Sequence, residues 1–157
     1  RTLLWPTPRL TVELVPQPCW WSNVRSLVMP QEWNHLRRQT YRQARYRCEI
    51  CGGQGPKWPV ACHEVWRYDD VAHVQMLLRL IALCPSCHAV KHMGRTELYG
   101  DAAAARVHLA TVNGWTAEQT ATYLAEVWAV WEARSRQDWQ LDVSWLAQVG
   151  ITVRRPR

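Results

Sequence analysis

Apolar and polar residues along this chain switch between a two-residue and a helical period, and each switch predicts an element. Leu10, Val12 and Leu14 alternate with Thr11 and Glu13 between Pro8 and Pro16, the pattern of an edge strand. After Pro30, residues 31–45 set Trp33, Leu36, Thr40, Tyr41 and Ala44 on one helical face. Val60, Cys62, Glu64 and Trp66 then alternate with Ala61, His63, Val65 and Arg67. Tyr68, Asp69 and Asp70 form a polar turn, and residues 74–83 return as an apolar strand, so a hairpin is expected. A short helix over 85–93 follows, with Pro85 near its start and Gly94 as its stop. Asp101 opens an Ala-rich helix ending near Asn113 and Gly114. Thr116 and Gln119 form a capping box for a second helix running toward Arg136. On that second helix Leu124, Val127, Trp128 and Trp131 make one stripe, which Trp139, Leu141, Trp145 and Leu146 continue irregularly. Stripes of this kind are normally core, although such rings can also stack on unpaired bases.

A length of 157 residues fits one domain, and 48% apolar with 20% charged residues is a globular composition. The expected fold class is α+β, divided into an N-terminal strand and basic helix (1–45), a core (46–94) and a C-terminal helical extension (95–157). The greasiest stretch, 74–84, is interrupted by Gln75 and Arg79, so no membrane partner is expected. Pro6, Pro8, Arg9 and Glu13 break the region where an export signal would need a continuous apolar run. A reducing, cytoplasmic setting is therefore expected. Eleven Trp and no Phe make Trp the large core residue.

The net charge of +6 changes the picture, because all the cations but Lys57 and Lys91 are Arg, the side chain suited to bidentate phosphate contacts. Arg37, Arg38, Arg42 and Arg45 line the polar side of the 31–45 helix. With Lys91 they are the candidate nucleic-acid contacts, the alternative being an ordinary solvated face. The tail 153–157 either lies against phosphates or is solvated.

Chemistry enters with the cysteines. Cys48 and Cys51 form one Cys-x-x-Cys knuckle and Cys84 and Cys87 another, the spacing that wraps two turns around one tetrahedral ion. A structural Zn²⁺ closed by four thiolates is expected, and a saturated site of that kind does no catalysis. Residues 52–83 separate the knuckles, more than the roughly 15–20 residues of a plain zinc ribbon, and they carry the hairpin. After the second knuckle, His88 and His92 stand at i and i+4 on one helical face.

The strings Arg47-Cys48-Glu49-Ile50-Cys51-Gly52-Gly53, Cys62-His63-Glu64-Val65-Trp66 and Leu83-Cys84-Pro85-Ser86-Cys87-His88-Ala89-Val90-Lys91-His92 resemble the HNH endonucleases with a ββα-metal (His-Me finger) core. The likeness covers residues 46–94. It implies a metal-dependent endonuclease that hydrolyses phosphodiester bonds, with DNA ahead of RNA as substrate. In that family an adjacent pair ending the first strand gives a metal ligand and a general-base His, and a His opening the helix gives another ligand. The likeness leaves three arrangements open here: Cys62 as ligand with His63 as base, His63 as ligand with Glu64 as base, or His63 as base with Glu64 as oxygen ligand. The third suits Mg²⁺ or another divalent cation best and makes Glu64 and His88 its ligands, with His92 completing the shell or gripping phosphate. The family's middle Asn, which orients the base, is replaced by Arg79. Asp69, Asp70 or Gln75 is the expected substitute; failing one, the chain is a catalytically inactive, zinc-stabilised nucleic-acid-binding module.

Overall fold

The computed structural model describes residues 7–153, so the tail residues 154–157 and Pro6 lie outside it. The described residues form a mixed α+β structure of seven α-helices and one three-stranded sheet. After two short helical pieces, a 3-10 turn at Gln17–Cys19 and α1 (Val24–Leu27), comes α2 (Pro30–Gln43). The expected hairpin is β1 (Ala61–Asp69) and β2 (Val74–Leu83), antiparallel with His63 opposite Ile81. Its turn is tied by Asp69, whose Oδ1 accepts the backbone N–H groups of Val71 and Ala72.

A bulge between Val65 and Trp66 leaves Leu78 unpaired and reverses the parity of β2. Leu80 and Leu77, one even and one odd position, consequently join the same apolar cluster with Val24, Val28, Leu36, Leu146 and Ile151. The opposite cluster gathers Ile81 and Leu83 with Leu10, Val12, Val90, Met93, Leu109 and Leu124, beside Cys48, Cys84 and Cys87. The sheet thus lies between two half-cores. A third strand that the sequence pattern does not predict, β3 (Gln140–Asp142), pairs in parallel with the start of β2.

The segment read as an edge strand joins no sheet. Its alternation holds, with Leu10 and Val12 buried, but its backbone is clamped by side chains of the C-terminal helices. Asn113 Oδ1 accepts the N–H groups of Arg9 and Leu10, Asn113 Nδ2 donates to Leu10 O, and Val12 N–H donates to Tyr123 Oη. A side chain supplies the partners a neighbouring strand would supply, so the extended chain is satisfied without a ladder.

The helix after the second knuckle also runs differently. α3 (Pro85–Lys91) breaks at His92 (φ −95°, ψ 45°) and α4 (Met93–Tyr99) continues from it, so Gly94 lies inside a helix rather than ending one. A Cβ at this position would meet Leu14 and Trp128 at 3.5 and 3.6 Å, ordinary contact distances, so packing there does not demand a glycine. α5 (Ala102–Asn113) is capped by Asp101 and closed by left-handed Gly114 (φ +66°). α6 (Ala117–Ser135) opens on the Thr116/Gln119 capping box, and α7 (Ser144–Gln148) completes the described chain.

Candidate functional site

The two knuckles meet. Cys51 N–H points at Cys48 Sγ (3.5 Å), Cys87 N–H at Cys84 Sγ (3.4 Å) and Gly53 N–H at Cys51 Sγ (3.4 Å), while Gly52 takes the left-handed turn (φ +77°). The four sulfurs lie within 4.8 Å of one another. Cys51 and Cys84 Sγ are 3.6 Å apart, beyond disulfide bonding. A hydrogen bond from Cys87 and nearby backbone amides draw the Cys48 thiol down to about 4, while burial lifts Cys84 to about 11. These four cysteines could hold a metal ion such as zinc. His108, which nothing in the spacing singles out, places Nε2 3.1 Å from Cys87 Sγ.

A second cluster lies at the other end of α3. His63, on β1, meets His88, on α3, and His92, at the α3–α4 break. The ring centroids are 5.5 Å (63–88), 5.0 Å (63–92) and 4.6 Å (88–92) apart, and one nitrogen from each lies within 4.8 Å of the others. Burial, followed by the neighbouring imidazole charges, depresses His88 to about 4 and His92 to about 3, so both are neutral with lone pairs available at ordinary pH.

Glu13, a polar position in the alternating segment 10–14, completes the group. Its Oε2 lies 2.8 Å from His63 Nε2 and its Oε1 2.9 Å from Lys91 Nζ, while Thr11 Oγ1 accepts from the same ammonium at 2.7 Å. The backbone N–H of Glu13 donates to Lys91 O. Burial opposes ionisation of Glu13, but the His63 hydrogen bond and the Lys91 charge outweigh it and hold the carboxyl below its usual range. With Nε2 tied to a carboxylate, Nδ1 is the free nitrogen of His63, and it is buried with no hydrogen-bond partner.

Several expected site residues lie elsewhere. Glu64 is turned away because neighbouring strand positions face opposite sides: it sits with Cys62 and Trp66, accepting from Val24 N–H (2.8 Å) and Trp66 Nε1 (3.1 Å), and is absent from the imidazole group. Cys62, its thiol raised to about 12 by burial, shares that far side. Lys91 is 4% exposed and anchors Glu13, so it is a buried positioning cation rather than a surface phosphate contact. Asp69 ties the turn, Asp70 pairs with Arg134, and Gln75 donates to Tyr68 Oη; none of the three holds His63. Arg79 pairs with Glu49, whose other oxygen takes Ala82 N–H. Arg38, Arg42 and Arg45 are exposed on or just past α2, and Arg37 is half-buried against Asn34.

No protein-family model, no curated protein and no solved structure matches the chain. The site's chemistry therefore rests on its own donors. The neutral imidazoles of His88 and His92 suit a borderline cation such as Zn²⁺ or Ni²⁺ better than Mg²⁺, which prefers oxygen. Among the described residues no helix is long and apolar enough to cross a membrane.

Proposed function

We propose that the protein is a metal-dependent nuclease of HNH type that hydrolyses phosphodiester bonds of DNA. In this reading a ββα-metal core is held by a structural Zn²⁺ on Cys48, Cys51, Cys84 and Cys87. The carrying observation is the convergence of His63, His88 and His92 at the hairpin–helix junction, with Glu13 bonded to His63. His63 is the general base: Glu13 accepts Nε2–H, which fixes the tautomer and leaves Nδ1 as the proton acceptor toward water. His88 and His92 are the ligands of the second cation, which when bound would stabilise charge on the phosphoryl oxygens and the departing alkoxide. Lys91 keeps Glu13 ionised and aimed at the imidazole. Glu13 thus takes the orienting role that the resemblance gives to an Asn. Four thiols gathered for a metal rather than paired as disulfides favour a reducing compartment such as the cytoplasm.

The test is plasmid nicking with Mg²⁺, Mn²⁺, Ni²⁺ and Zn²⁺ in parallel. Wild type should cut, best with a borderline ion, His63→Ala should not, and Glu64→Gln should cut like wild type. The binding-module reading draws on Arg79 standing where the family has Asn. It takes over if no ion supports cutting while duplex binding weakens steeply with salt.

A further inference from the structure

A cleft of about 900 Å³ adjoins the imidazole cluster and runs round the free edge of β1, taking in residues of both faces of that strand. That is at the upper end of the roughly 300–1,000 Å³ usual for ligand sites. Its walls carry Trp20, Trp33, Trp66, Tyr68, Trp128 and Trp131. Two of these rings are pinned through one carbonyl: Trp20 Nε1 donates to Val15 O at 2.8 Å and Trp131 Nε1 to the same oxygen at 2.9 Å. Trp20 is nevertheless 55% exposed. An exposed indole whose N–H is already satisfied presents its flat face without a conformational cost to fix it, which is what a stacking platform requires.

Charge narrows the occupant. Of the cleft's acids, Glu13 is engaged by His63 and Lys91, Glu64 by Val24 and Trp66, and Glu97 by Arg106. Arg25 and Arg95 are exposed in the same cleft and form no ion pair among the described residues. Aromatic faces, free guanidiniums and carboxylates already engaged by the protein's own donors together match a nucleotide: bases for the rings, phosphates for the arginines.

We infer that the cleft receives unstacked bases of a single nucleic-acid strand, which stack on Trp20 and its neighbours while Arg25 and Arg95 take flanking phosphates. A duplex keeps its bases stacked inside and cannot offer them to these rings unless a base is extruded. The fate of the phosphodiester beside the imidazoles rests on the nuclease reading; the binding does not.

Fluorescence anisotropy on the full, zinc-loaded chain, with no other divalent ion added, tests this with a labelled oligo-dT and its duplex with oligo-dA. The single strand should bind at least tenfold tighter and quench tryptophan emission, which the duplex should not. Trp20→Ala should weaken single-strand binding by about 5- to 150-fold and Trp20→Phe by much less. Arg95→Gln should lower the salt slope by about one. Equal affinity for strand and duplex, or an oligonucleotide that leaves wild-type emission unchanged, overturns the inference whatever the variants do. Cleavage confined to duplex and indifferent to Trp20→Ala overturns it while leaving the nuclease reading standing. Strand-selective binding without cleavage by any ion upholds the cleft and removes the nuclease.

Discussion

Glu13 reaches His63 across fifty positions of sequence, and its carboxylate is tied on both oxygens. Glu13→Gln keeps the shape but offers an amide to a ring nitrogen that needs an anionic acceptor, so cleavage should fall about 10- to 100-fold with zinc content unchanged. The same substitution has a signature in stability. Because the folded carboxyl ionises below its ordinary 4.5, the ionised form stabilises the fold above that value, and the contribution is lost as pH falls through the lower folded pKa. Thermal melts from about pH 6 downward should therefore show the wild-type advantage over Glu13→Gln shrinking through the acid range, and an advantage independent of pH would remove the ion-pair account. At this scale the sequence was partly readable. His88 and His92 share a helical face, and Lys91, at i+3 from His88, lies beside it, but its burial under the strap is a long-range contact that the periodicity does not contain. The two-residue period already separated His63 from Glu64. Glu13 was hidden because nothing local distinguishes a strand's outward carboxylate from one that reaches a distant imidazole.

Between single residues and the whole lie the strap of residues 9–17 and the short helix α3. The strap's alternation was legible, but its pairing was not, since hydrogen bonds to Asn113 and Tyr123 leave no trace in a hydrophobic pattern. Asn113→Ala removes the partners of Arg9 N–H, Leu10 N–H and Leu10 O together, at a cost of about 1–3 kcal/mol for the groups left unpaired. Chemical denaturation should register that loss, and hydrogen exchange should rise over residues 9–14 ahead of β1 and β2. Cleavage should drop with it, because Glu13 rides on the strap. Helix α3 was expected to stop at Gly94, yet the chain bends two residues earlier at His92 and goes on. Gly94 sits in the first turn of α4, where a Cβ would make only ordinary contact with Leu14 and Trp128, and a helix stop cannot be told from a tolerated glycine by sequence alone. The capping residues Asp101, Thr116 and Gln119 and the left-handed Gly114, by contrast, act through bonds within a few positions, and the helices they bound lie where the sequence sets them.

At the level of the molecule, the cysteine cluster joins the loop after α2 to the start of α3, and it is part of the half-core that holds Leu10, Leu83, Val90 and Leu109. Cys84→Ser should lose the zinc held by the cysteines, which elemental analysis would read as one zinc per chain fewer than in wild type, and should lower the melting temperature steeply, since metal binding in such sites is coupled to folding. Unchanged melting would show that the apolar contacts suffice alone. The strand β3 and the split of the core across the sheet stayed out of reach of the sequence. Three residues paired in parallel carry too short a pattern, and the reversal of parity at Leu78 is a register event rather than a compositional one.

The strap also sets a schedule. A ribosome delivers residues 9–17 roughly a hundred residues before most of the groups that hold that backbone, Asn113, Tyr123, Trp131 and Ser135, while Lys91, whose carbonyl accepts from Glu13, emerges earlier. A nascent chain that has reached His92 already carries all three histidines and Lys91, but not the α5–α6 side chains that hold the strap on either side of Glu13. The strap is therefore fully held only once α5 and α6 have folded, and a chain released before residue 113 would keep the His63 and Lys91 partners of Glu13 but lack the side chains that hold Arg9, Leu10 and Val12.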